Sequence, residues 1–118
     1  MVDVEIVLVD GPITRERLRE IASLRFGDLV KAVVDIEKGV MAIGGELHSD
    51  EEAFLLERGS TQKDIWGINI YPDRMGDEMV EFDSVINVRP SQNNRSRSVE
   101  DADLRVKILE IVNKLVIG

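Results

Sequence analysis

The sequence predicts an α+β fold, a largely antiparallel sheet of about five strands with three helices in the order β-α-β-β-α-β-β-α. Short runs of alternating apolar and polar residues recur through the chain, which is the period of half-buried strands. Three segments instead repeat apolar residues at helical spacing behind capping signals. Strands also fall next to strands, without the strict strand-helix alternation that parallel sheets require. With 118 residues the chain reads as one domain, 1–118, large enough to bury roughly two thirds of its unfolded surface.

The first strand is Val2, Val4, Ile6 and Leu8 alternating with Asp3, Glu5, Val7 and Val9, stopped by Asp10-Gly11-Pro12. Thr14 then caps a helix, Ile13 staples onto Leu18, and Leu18, Ile21 and Ala22 form its buried stripe until Gly27. Arg15, Glu16, Arg17, Arg19 and Glu20 form its solvated face. In residues 29–45, Leu29, Val33 and Ile36 have the spacing of a helical stripe, but β-branched density on both sides of Lys38-Gly39 favours a hairpin in which Glu37 faces Val40, Ile36 faces Met41 and Val34 faces Ile43. Its other face carries Lys31, Asp35 and Glu37 above Ala42 and Gly44.

Ser49 and Glu52 have capping-box spacing, so 50–58 reads as a short helix ended by Gly59. Ile65–Tyr71 and Val80–Arg89 read as two strands joined by PDRMGDEM. If Asn69 faces Asp83 and Tyr71 faces Glu81, then Trp66, Ile68 and Ile70 share a side with Phe82, Ile86 and Val88. Asn69, Tyr71, Glu81, Asp83, Asn87 and Arg89 form the polar side. Ser98 or Asp101 caps a last helix with a stripe of Leu104, Ile108, Ile111, Val112 and Leu115, and a second of Val106, Leu109 and Val116. A helix apolar over so much of its circumference is covered on two sides, which points to a homodimer through this C-terminal helix. Helices mainly on one face of the sheet complete the expected architecture.

Composition excludes several classes of function. Lys and Arg number 15 against 23 Asp and Glu, a net charge of −8 that opposes broad nucleic-acid binding. No apolar run is long enough to span a membrane, and the start lacks the basic and apolar regions of a secretory signal. With no cysteine there is no disulfide, thiolate ligand or thiolate nucleophile, which fits a cytoplasmic location. No motif calls for a cofactor.

Against this acidic background, residues 84–99 contain no carboxylate, and the loop NVRPSQNNRSRS precedes the last helix. Arginine forks and a helix N-terminus attract carboxylate or phosphate, so a ligand site is expected from Arg89, Gln92, Asn93, Asn94, Arg95 and Arg97, with Asn69, Tyr71, Asp83 and Asn87 on the adjoining sheet face. The same pattern also reads as turn chemistry, with the arginines paired to the chain's own Glu81 and Asp83. The sole histidine, His48, lies between Glu46 and Asp50, a weak O,N,O metal set, since Asp50 is explained as a helix-start residue.

The segments RFGDLVKAVVDIEKGVMAIGGELHSDEEAFLLERGS, DIWGINIYP and EFDSVINVRPSQNNRSRSVED resemble a small prokaryotic family of unknown function, domain of unknown function 5674. The resemblance covers nearly the whole chain and implies no activity, cofactor or catalytic residue. Whether the protein is an enzyme therefore stays open. The residues lead first to a cytoplasmic homodimer that binds an anionic small molecule or a carboxylate-bearing partner through the loop after Arg89. An acidic interaction or regulatory module that neutralises a basic partner is the second reading. A carboxylate or metal-dependent hydrolase around Glu46, His48 and Asp83 is the third.

Overall fold

The computed structural model describes residues 5–118. In chain order its elements are β1 (Val7–Val9), β2 (Ile13–Thr14), α1 (Arg15–Arg25), β3 (Val30–Asp35), β4 (Val40–Ile43), α2 (His48–Glu57), β5 (Ile65–Ile70), β6 (Val80–Glu81), α3 (Ala102–Leu115) and β7 (Val116–Ile117). Five strands form an antiparallel sheet in the order β1-β4-β3-β5-β6, and β2 pairs in parallel with β7, tying the start of α1 to the end of α3. The α+β class and the broad order of elements are those predicted. Val2 and Val4 of the predicted first strand lie outside the described residues.

Alternation along the strands divides the sheet into two faces, and each has its own apolar cluster. Val30, Ala32, Val34, Met41, Ile43, Trp66, Ile68 and Ile70 pack with Leu18 and Ile21 of α1 and with Ile108, Val112 and Leu115 of α3. Val33, Ala42 and Ile65 on the other face pack beneath Leu55 of α2. So α2 covers the face opposite the other two helices, and the face read as polar is half roofed. Small Ala42 and Gly67 let the helix and the following chain approach closely.

Thr14 caps α1 as predicted, its hydroxyl accepting from Arg17 N at 3.0 Å. The side of α1 read as solvated is partly tethered. Arg15 donates to the carbonyls of Pro72 and Arg74 at 3.0 and 3.1 Å, and Arg19 pairs with Asp73 at 2.6 Å, anchoring the loop after β5. Asp101 caps α3 through Asp103 N at 2.8 Å. Its second apolar stripe is largely absorbed by the fold: Leu109 packs against the main cluster, Val116 belongs to β7, and Val106 remains 53% exposed.

Three local expectations need correction. In the first hairpin, Asp35 faces Val40 and Val34 faces Met41, a register two residues from the predicted one. The Asp35 carboxylate accepts from Glu37 N and Lys38 N, both at 2.9 Å, and its carbonyl accepts from Gly39 N at 2.9 Å. These bonds close a longer turn, with Gly39 at φ +67°. A shift of two preserves which face each side chain occupies. Next, α2 begins at His48 with Leu47 at its cap position and no side-chain cap, so Ser49 does not close a capping box.

The third correction concerns the strand predicted over Val80–Arg89. β6 ends at Glu81, and Asn69 faces Glu81 instead of Asp83. Ser84 then packs against Gly67, where a Cβ would lie 2.6 Å from Ser84 Cβ. The chain leaves the ladder there, and a 3-10 turn at Val85–Asn87 sends Ile86 to the α2 side, away from Trp66.

Candidate functional site

The site grows from one row of the sheet. Register places Lys31 beside Asn69 and Asn69 beside Glu81, all on the face that α2 partly covers. Asn69 Nδ2 donates to Glu81 Oε1 at 2.8 Å, and the Tyr71 hydroxyl donates to the same oxygen at 3.2 Å. Among the described residues, Asn69 Oδ1 is buried without a hydrogen-bond partner. Lys31 has the Phe26 ring at 5.0 Å, and among the described residues no carboxylate lies within 4.0 Å of its ammonium.

Beside this row stands the start of α2. Leu47 supplies no side-chain oxygen to the first amides, and Glu51 turns back to accept from Gly45 N at 3.0 Å. Gly45 is required there, because a Cβ would lie 2.8 Å from Glu51 Cγ. Burial pushes the Glu51 carboxyl well above the usual carboxylate range, opposed by the Gly45 N–H and by Lys31. His48 is also buried, its Nε2 2.8 Å from the Ile68 carbonyl oxygen. A carbonyl can only accept, so Nε2 carries the proton and Nδ1 holds the lone pair. Burial lowers the His48 pKa, the Ile68 bond raises it, Lys31 and Arg97 lower it further and Asp83 opposes them. The net direction is down, which keeps the ring neutral at pH 7.

Of these groups, Lys31 and His48 border a cleft of about 180 Å³. Lys31 and Arg97 bring charge from distant segments, and His48, Ser49 and Ser84 line its polar part. Leu47, Val85 and Ile86 supply the apolar walls. Arg97 donates Nε to Asp83 Oδ1 at 2.7 Å, which leaves the remaining guanidinium N–H groups for other acceptors. A hollow of about 230 Å³ along Val7–Ile13 is larger, but among the described residues it is lined by one continuous segment and Asp10 is its sole ionisable side chain.

The arginine loop is turned mostly inward. Asn87, fully buried, accepts from Gly67 N at 2.8 Å and donates to the carbonyls of Gly67 at 2.9 Å and Arg97 at 3.0 Å. Arg89 donates to the carbonyls of Ile65, Gln62 and Ile86, covers the Trp66 ring at 4.5 Å and lies 3.9 Å from Glu52. Asn94 Nδ2 donates to the carbonyls of Asn87, Ser96 and Ser98, and Gln92 donates to the Lys63 carbonyl. Asn93 adopts φ +60° to turn the chain. The backbone N–H groups of Arg95 and Ser96 both donate to Glu100 Oε2 at 2.8 Å. Of the predicted ligand contacts, Arg97 reaches the cleft, while Asn69 and Asp83 adjoin it through Lys31 and Arg97.

The weak metal set is not assembled. Glu46 lies 4.0 Å from Arg25, and among the described residues no three or more His, Asp or Glu side chains stand close enough to hold a cation. Lys31, Ser49 and Ser84 were missed as cleft residues. Lys31 was legible as part of the polar hairpin face, whereas nothing in the sequence brings Ser84 beside His48.

Fold and cleft define the class: an α+β protein with an antiparallel sheet and a small cationic cleft beside a helix start. No helix among the described residues is long and apolar enough to cross a membrane. The family described as Protein of unknown function (DUF5674) matches residues 7–115, and the chain belongs to that family. No curated protein and no solved structure matches it.

Proposed function

We propose that the protein binds a small anion in the cleft between the start of α2 and the chain after β6. One observation carries this reading: Lys31 and Arg97, far apart in sequence, border the same cleft, and Lys31 lacks a carboxylate partner within 4.0 Å among the described residues. Other cations of the chain also lack an ion pair among the described residues, and what sets Lys31 apart is its place beside Arg97 at the cleft. The uncapped amides of α2 add donors and the positive end of the helix dipole. Asp83 offsets Arg97 and a neutral His48 adds no further charge, so a singly charged anion suffices to balance Lys31. At about 180 Å³ it falls below the roughly 300–1,000 Å³ of sites for drug-sized ligands, which restricts the occupant to a small molecule.

Titration calorimetry with inorganic phosphate at low ionic strength tests the reading. Each charge-assisted hydrogen bond contributes about 1.5–3 kcal/mol, so Lys31→Gln and Arg97→Gln should each weaken phosphate binding about tenfold or more. Arg97 is exposed and Lys31 half-buried, and neither belongs to an apolar cluster, so the melting temperature should change little. Phosphate affinity unchanged in the double variant, or undetectable with the unmodified protein, would overturn the proposal.

A further inference from the structure

We propose that the anion taken by this cleft is a small 2-hydroxy carboxylic acid with an aliphatic body. The inference rests on the anion-binding reading and names its ligand class. Leu47 and Val85 are 52% and 66% exposed, and they border the same cleft from the start of α2 and from the turn after β6. Single exposed apolar residues need no explanation, but two beside a pair of cations form an amphipathic pocket. Leu47 also occupies a helix cap position, where leucine is disfavoured by about 1 kcal/mol relative to Ser or Asp. Neither side chain is used by the two apolar clusters of the fold. Inorganic phosphate would leave these walls wet, whereas a hydrocarbon chain covers them.

The polar half sets the rest of the ligand. Lys31 and Arg97 hold the carboxylate, with the first amides of α2 nearby. His48 donates through Nε2 to Ile68, and among the described residues its Nδ1 has no hydrogen-bond partner. An acceptor next to two cations suits a neutral donor adjacent to the carboxylate. A hydroxyl meets this need, whereas the ammonium of an amino acid is repelled by Lys31 and Arg97. Size agrees, because an apolar cavity of about 150 Å³ holds benzene, so about 180 Å³ accommodates a body of about five or six carbons.

Calorimetry with four acids tests the assignment: 2-hydroxy-4-methylpentanoate, 4-methylpentanoate, glycolate and leucine. The hydroxy acid should bind at least about tenfold tighter than 4-methylpentanoate, through the hydroxyl, and tenfold tighter than glycolate, through the hydrocarbon. Leucine should bind weakest of the three larger acids. Leu47→Ser, a change at an exposed position, should erase the preference over glycolate while retaining glycolate binding. Equal affinities for the hydroxy acid and glycolate, or for the hydroxy acid and 4-methylpentanoate, would overturn this assignment. In that case loss of phosphate binding in the Lys31→Gln/Arg97→Gln variant would still uphold the anion site. Failure of the unmodified protein to bind phosphate or any of the four acids would remove both.

Discussion

The side chain of Asn87 accepts from the Gly67 N–H at 2.8 Å and donates to the Gly67 carbonyl at 2.9 Å, replacing the two bonds that a neighbouring strand would make. Buried backbone groups must be paired, and Arg89 serves the Ile65 carbonyl in the same way. This accounts for the carboxylate-free segment in an acidic chain. Its amides and Arg89 face bare carbonyls and N–H groups, where a carboxylate would find few donors, and Glu100 closes the segment by accepting from the Arg95 and Ser96 amides. Asn87→Ala should therefore cost about 2–3 kcal/mol, read as a lower urea midpoint, because it leaves buried groups of Gly67 unpaired. Little change would mean that water takes over these bonds. Residue type was legible in the sequence here, and direction was not: alternation put Asn87 and Arg89 on a ligand-facing strand, but the strand ends before them.

Elements were most legible where local chemistry decides them. Thr14 and Gly27 bound α1 as read, because the cap bond and the positive φ of the glycine depend on neighbours in sequence. α2 was placed two residues late, because Glu51 satisfies Gly45 across the loop and no local box forms. β6 was overestimated because Gly67, on the partner strand, admits Ser84 and Ile86 into the space of a missing side chain. The test at this scale is Gly67→Ala. A new Cβ 2.6 Å from Ser84 should displace the turn after β6, cost about 1–3 kcal/mol and disturb the cleft, since Ser84, Val85 and Ile86 line it. Thermal denaturation and phosphate titration should move together. A stable variant with full binding would show that the turn adapts freely.

At the scale of the molecule, two buried groups give stability opposite slopes with pH. Glu51 holds its proton above the ordinary pKa of 4.5, so between that value and its raised folded pKa the native state binds the extra proton. Its contribution therefore falls as pH rises through this window. The lowered pKa of His48 means that the unfolded chain binds more protons below 6.5, so its contribution falls as pH drops from there. Glu51→Gln keeps an acceptor for Gly45 N and removes the titration. Its melting temperature should match the unmodified protein near pH 4 and exceed it by a gap that widens as pH rises above 4.5. A constant gap would show that Glu51 does not carry the slope.

By itself the sequence determined the α+β class, the helix stripes, the parity of the two central strands β3 and β5 and the segment in which the polar chemistry gathers. These follow from period, capping and turn residues, which act over a few positions. Only the tertiary structure decided that α2 covers the second face of the sheet, that Asn87, Arg89 and Asn94 serve the backbone, and that Lys31, His48 and Arg97 share a cleft. The last three residues come from β3, α2 and the loop before α3, and strand order and the steric gap at Gly67 set their convergence. Sequence spacing carries no such information, because contacts between distant segments depend on which surfaces pack together.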